Sequence, residues 1–185
     1  MNMESEGMYM RNLLRYVQEC KEELDSLNIE YGNVVEWTIN TRATKRWGQC
    51  KRKGSDYAIN ISAILLDERN DVKGLKETII HELLHTISGC MNHGEKWQMY
   101  ANEVNTCLGY EVSRTSTMDE KGLCEECKKV REEEYRKQFN ARPVYRLVCK
   151  DCGYTYVYHR NGYYVQHYKD CWCSVCKGKL DLIKG

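Results

Sequence analysis

The sequence predicts an α+β fold in which helices pack on a small sheet and a smaller, cysteine-rich unit follows. Three observations predict it. Apolar residues recur at helical spacing along Leu13–Leu27, Ile79–Ile87 and Trp97–Leu108. Short β-branched and aromatic runs lie between the first two stretches. Near the end, two C-x-x-C pairs separated by 20 residues frame a tyrosine-rich segment.

Taken in order, Met8 to Leu27 reads as an amphipathic helix, with Leu13, Leu14, Val17, Cys20, Leu24 and Leu27 near helical spacing. Val34 to Asn40 is a strand by composition. Arg46–Cys50 and Tyr57–Ile61 read as two more, joined by the polar turn K-R-K-G-S-D, with Ile59 and Ile61 alternating with Asn60 and Ser62. Within them Gly48 has two open readings: a close backbone approach beside an edge strand that can take up extended peptide, or a bulge. A second helix starts at Val72 or Lys73, buries Ile79, Ile80, Leu83, Leu84 and Ile87, and stops near Gly89. Asn92 is placed to cap a third helix that starts at His93 and carries Trp97, Tyr100, Val104 and Leu108 inward. Tyr110–Ser113 is expected to return as a strand. From Asp119 to Arg142 the chain alternates charges at helical spacing, as an exposed linker helix does. The expected organisation is therefore a first domain over 1–118, a charged linker over 119–142 and a small domain over 143–185. In the last, Tyr154–Tyr158 and Tyr163–Tyr168 flank Asn161-Gly162, a hairpin signal.

Composition sets bounds. Hydrophobic residues at 42% and charged residues at 30% describe an ordinary soluble chain, and a net charge of +1 makes no general case for nucleic acid. Residues 1–118 hold 14 basic and 17 acidic side chains, and residues 119–185 hold 14 and 10, so the C-terminal part is the basic one at +4. The first residues lack a basic segment followed by an apolar one, and no apolar run approaches the ~20 residues that cross a bilayer. The expectation is a cytoplasmic protein without a membrane partner, whose eleven cysteines are free thiols or metal ligands.

The chemistry concentrates in His81-Glu82-Leu83-Leu84-His85 and the later Asn92-His93-Gly94. Two histidines four apart share a helix face and can converge on one metal ion, with His93 as a third ligand. Three protein ligands leave a position open, the arrangement of a catalytic zinc. Glu82, rotated about 100° from His81, is too far round to be an easy ligand and is well placed to touch a water bound to that metal. In the C-terminal part, Cys149, Cys152, Cys173 and Cys176 have the spacing of a four-cysteine structural zinc site, the pattern of a zinc ribbon, with Cys171 a possible substitute for Cys173. Cys124 and Cys127 read as free thiols or accessory contacts, the alternative being a partial second site completed by Cys171 or a histidine such as His159 or His167. Arg146, Lys150, Tyr156, Arg160 and Lys169 are candidates for nucleic-acid contact, since tyrosines stack on bases and basic groups meet phosphate. The alternative, that the tyrosines simply cover a small sheet, stays open.

H-E-L-L-H with a later N-H-G-x-x-W, small strands before and a four-cysteine segment after, resembles the SprT-like metallopeptidase family, which includes the Spartan-related proteases of DNA-crosslinked proteins. The R-W-G-Q-C segment is also similar to one in the YgjP-like predicted zinc peptidases. The resemblance implies zinc ligation by His81, His85 and His93, with Glu82 as catalytic carboxylate. It implies hydrolysis of peptide bonds, while the residues alone leave open a non-catalytic, zinc-stabilised nucleic-acid-binding or adaptor protein. The expected partners are a protein substrate and, through the ribbon, DNA.

Overall fold

The computed structural model describes residues 10–184, so Met8, the expected start of the first helix, lies outside the described residues. The fold is α+β. It divides into two compact units, Met1–Glu134 and Tyr135–Gly185.

In the first unit Asn12 caps α1 (Leu13–Ser26), its side-chain oxygen accepting the amides of Leu14 and Arg15 at 3.0 and 3.3 Å. Leu13, Val17, Cys20 and Leu24 form its buried stripe. Strands β1 (Val34–Asn40), β2 (Gly48–Lys53) and β3 (Asp56–Ser62) order as β1-β3-β2, with β1 parallel and β2 antiparallel to β3. The stretch expected as a long polar turn is mostly strand, because Lys53 already pairs with Asp56 and only Gly54-Ser55 turn. Gly48 pairs with Ile61 in an unbroken register, which removes the bulge reading. β2 is left as an edge.

Asp71 caps α2 (Val72–Leu84), accepting the Lys73 amide at 2.9 Å. Ile79, Ile80, Leu83 and Leu84 are fully buried, and Ile87 nearly so. The helix ends at Leu84, a turn earlier than expected. Thr86 is the cause: its hydroxyl donates to the Leu83 carbonyl at 2.6 Å and accepts the Gly32 amide at 2.8 Å, drawing the backbone out of the helix. Gly89, with φ +84°, then reverses the chain. The third helix, α3 (Glu95–Leu108), starts two residues later than expected. Asn92 accepts the Gly94 amide at 3.1 Å in a local turn, so Gly94 is the cap and His93 stays in the loop. Trp97 and Val104 are buried, with Tyr100 and Leu108 half-buried against the same core.

No strand forms at Tyr110–Ser113, because side chains take the place of a neighbouring strand. Asn105 accepts the Val112 amide at 2.7 Å and donates to the Val112 carbonyl at 3.0 Å, and Glu77 accepts the Glu111 amide at 2.9 Å. The charged segment does form a helix, α4 (Glu125–Asn140), but it is not uniformly exposed. Lys121, Leu123, Cys127 and Arg131 are buried, and the division between units falls inside α4.

The second unit is an antiparallel sheet of β4 (Tyr145–Cys149), β5 (Thr155–Tyr158) and β6 (Leu180–Lys184), in the order β5-β4-β6, with a one-turn helix α5 (Tyr163–Gln166) between β5 and β6. The expected Asn161-Gly162 hairpin is absent. A tight primed turn with Asn-Gly needs positive φ at both positions, whereas Gly162 has φ −87° and caps α5. Leu147, Cys149, Cys173 and Leu180 make the small core. Among the described residues no helix is long and apolar enough to cross a membrane.

Candidate metal centres and cleft

The end of α2 and the loop before α3 bring three imidazoles together. The Nε2 atom of His81 lies 3.2 Å from that of His85 and 3.0 Å from that of His93. Three nitrogens bound at 2.0–2.1 Å to one tetrahedral ion stand about 3.3 Å apart, so the spacing fits. The opposite ring atoms give a second test. His81 Nδ1 meets the Ser113 carbonyl at 3.0 Å and His85 Nδ1 meets the Cys90 carbonyl at 2.7 Å. A carbonyl only accepts, so each Nδ1 carries the proton and each Nε2 turns a lone pair inward. Lone pairs facing one another at such distances are compatible with a cation held between them.

Trp97 supports all three rings, with centroids 4.9, 5.7 and 4.7 Å from those of His81, His85 and His93. Burial, then the neighbouring His85 and His93, pull the His81 pKa down to about 3, and burial lowers His85 and His93 too. Neutral imidazoles are the form that ligates metal.

Glu82 points away from the apolar core toward β2. It lines, with the three histidines, a cavity of about 440 Å³ whose walls are the Lys45–Cys50 segment and the Ser113–Ser116 segment. The Cys50 amide donates to the carboxylate, and burial nevertheless raises the Glu82 pKa to about 8. Gly48 is the close approach: a Cβ there would lie 2.6 Å from Glu82 Oε1 and 2.7 Å from its Cγ. Sequence reasoning missed three contributors. Lys121 reaches the cavity from the segment read as linker and is ion-paired at 3.1 Å with Glu77, both nearly inaccessible. Arg114 lines the opposite wall. Arg131 lies behind Trp47. No spacing rule marks any of them, since they come from separate segments.

In the second unit the four thiols of Cys149, Cys152, Cys173 and Cys176 lie within 4.8 Å of one another, with Cys149–Cys176 at 3.4 Å and Cys152–Cys173 at 3.7 Å. Four thiolates at about 2.3 Å from one ion have such separations. Each knuckle closes on a residue of positive φ just past its second cysteine, Gly153 at +72° and Lys177 at +63°. Backbone N–H donation at Cys176, then the Tyr156 hydroxyl, lowers the Cys173 thiol to about 6. Cys171 stands outside the set, its thiol turned to the His167 carbonyl at 3.3 Å. Cys127 is buried in the first unit with its thiol 3.6 Å from Asp67.

The residues expected to meet nucleic acid divide in two. Arg146, Lys150, Arg160 and Lys169 are exposed, with Lys150 paired to Asp181 at 3.0 Å. Tyr156 is half-buried, and its hydroxyl accepts the Ser174 amide at 2.8 Å and donates to the Cys173 thiol, so it braces the knuckle. Exposed rings of this unit include Tyr154, Tyr163, Tyr164 and Trp172. Residues 135–185 hold 10 basic and 3 acidic side chains, a local charge of +7.

Comparison with known proteins returns one family model, the SprT-like family, matched over residues 13–117. No curated protein is matched.

Proposed function

Since the chain belongs to the SprT-like family, its model covering more than half of the 185 residues, we propose that it is a zinc metallopeptidase whose catalytic centre is His81, His85, His93 and Glu82. The observation that carries this reading is the inward convergence of three Nε2 lone pairs, each of two fixed by a carbonyl behind it, in the same cavity as a buried carboxylate.

Zinc held by the three imidazoles supplies Lewis acidity, which polarises a carbonyl and acidifies water toward a pKa of ~7. The chain's own part is positioning and proton transfer. Glu82 accepts the proton as water adds to the scissile carbon and returns it to the departing amine. The free edge of β2 borders the cavity, so an extended peptide can add to it as a further strand. Gly48 keeps that wall close to Glu82.

Zinc in the four-cysteine site holds the second unit, where the four cysteines supply much of a core that is otherwise slight. The reading extends to DNA-associated or DNA-crosslinked proteins as substrates. Its support is the +7 charge and the exposed aromatic rings of that unit, the combination that binds single strands. The reading also places the chain in a reducing cytoplasm, where its eleven cysteines stay thiols or metal ligands.

The test is cleavage of a protein crosslinked to DNA, and of the same protein unfolded and free, by wild type, by wild type with chelator, and by Glu82→Gln. Cleavage confined to untreated wild type is expected. Equal cleavage by Glu82→Gln would remove the assigned role, and no cleavage of either substrate by wild type would leave the rival, a non-catalytic binding protein.

A further inference from the structure

We propose that Arg131 is a positioning residue for the reaction, holding the cleft wall against which Glu82 is set; this rests on the peptidase reading above. Arg131 lies beyond the 13–117 segment that matches the family, on the first half of α4. It is 6% exposed, with its guanidinium 3.7 Å from the centroid of the Trp47 ring. The separation is well inside the range of a cation–π contact.

Its hydrogen bonds go to the segment of chain that leads into β2 and to Ser62 at the end of the neighbouring β3. Nη1 donates to the Ala43 carbonyl at 3.2 Å and the Ser62 hydroxyl at 3.4 Å, and Nη2 donates to the Arg46 carbonyl at 3.3 Å. A planar fork with several fixed donors and a flat face can satisfy two carbonyls and a ring at once, which an ammonium cannot. Burial draws the Arg131 pKa down to about 10. A charge kept inside at that cost, against two carbonyls, a hydroxyl and a ring, serves to hold backbone.

From there the linkage to Glu82 is short. Trp47 is pinned on its other edge, its Nε1 donating to the Ser116 carbonyl at 3.0 Å on the opposite wall. Its carbonyl accepts the Ser62 amide at 2.8 Å. The next residue, Gly48, lies against the Glu82 side chain, and Cys50, two further on, donates its amide to the carboxylate. Arg131 thus fixes the 43–47 segment, that segment fixes the start of β2, and β2 fixes the carboxylate. Helix α4 is itself held at its start, where the Cys124 amide donates to Asn70 at 2.8 Å and the Cys127 thiol meets Asp67.

The experiment uses the full chain, with zinc content, melting temperature, kcat and KM measured on an unfolded protein substrate for wild type, Arg131→Lys and Arg131→Ala. Arg131→Lys is expected to keep both zinc ions and a wild-type KM while kcat per bound zinc falls tenfold or more, since displacement of a catalytic group by ~1 Å costs up to about 10²-fold. Arg131→Ala falls further, and millimolar guanidinium restores part of its kcat where tetramethylammonium at equal ionic strength does not. The proposal is overturned if kcat per zinc is unchanged in Arg131→Lys, or if activity falls only in step with zinc content and folded fraction. Wild type that cuts while Arg131→Lys cuts equally well defeats this inference alone; wild type that never cuts defeats the peptidase reading and this inference with it.

Discussion

At the scale of residues, Glu82 is held on several sides at once. It is 5% exposed, accepts one backbone amide, and has a glycine where any side chain would strike it. Gly48→Ala is therefore expected to keep both zinc ions and lose kcat by about tenfold, because the added methyl must displace the carboxylate by a fraction of an ångström or more; metal analysis beside steady-state kinetics checks it. Titration gives a second expectation. In the metal-free protein His81 has a folded pKa of about 3 against an ordinary 6.5. The unfolded chain binds more protons between those values, so the stability His81 contributes is complete above pH 6.5 and is lost as pH falls toward 3. Glu82 runs the other way, from 4.5 to about 8: its contribution is complete below pH 4.5 and is lost as pH rises through 8. Thermal melts of zinc-stripped protein should show Glu82→Gln gaining on wild type as pH rises from 4.5 to 8. A constant difference across that window would remove the burial argument.

At the scale of elements, the two metal centres sit on different kinds of support. The histidines hang from a helix end whose Ile79, Ile80, Leu83 and Leu84 are inaccessible to solvent. The cysteines hang from two knuckles with a core of four residues. His85→Ala should accordingly leave one zinc per chain, and Cys152→Ala with Cys176→Ala should leave one zinc and a disordered second unit; atomic absorption with circular dichroism reads both. The segment after Met118 belongs to the first unit. Lys121 neutralises Glu77 in the interior, and the Gly122 carbonyl accepts the Asp71 amide at 2.9 Å beside the cap of α2. Removing one partner of such a buried pair costs about 3–5 kcal/mol, so Lys121→Ala is expected to lower stability by that order in denaturant melts. A chain ending at Met118 should melt well below one ending at Glu134.

At the scale of the whole molecule, charge is unevenly shared. Residues 1–134 carry 18 basic and 24 acidic side chains, net −6, against +7 in the 51 residues that follow. A polyanion is expected to bind the second unit, and its affinity to fall steeply with salt as counterions are released. Fluorescence anisotropy with labelled single-stranded DNA at 50 and 200 mM salt measures it. Trp172→Ala should weaken binding by about 1–3 kcal/mol through lost stacking, while Tyr156→Phe should instead loosen the knuckle it braces. An affinity indifferent to salt and to Trp172 would separate the second unit from nucleic acid.

Local patterns carried the sequence a long way. Helical spacing placed His81 and His85 on one face, and the C-x-x-C pairs named all four clustered thiols, because both features are set within a few residues of chain. The apolar stripes of α1, α2 and α3 were legible for the same reason. Where local signals met a distant competitor, they lost. Thr86 ended α2 early by bonding Gly32, Asn105 stood in for a strand beside Val112, and β4 took β5 and β6 as partners in place of an Asn-Gly hairpin. The surroundings of Glu82 were least legible of all. Gly48, Cys50, Lys121 and Arg131 come from an edge strand, a turn and a helix that share no period with the H-E-x-x-H motif. By itself the sequence determined which atoms can ligate metal, since that is a matter of side-chain chemistry and spacing within a turn or a knuckle. Only the tertiary structure decided what surrounds them, because burial, a carboxylate's proton affinity and the approach of one backbone to another depend on segments brought together from far along the chain.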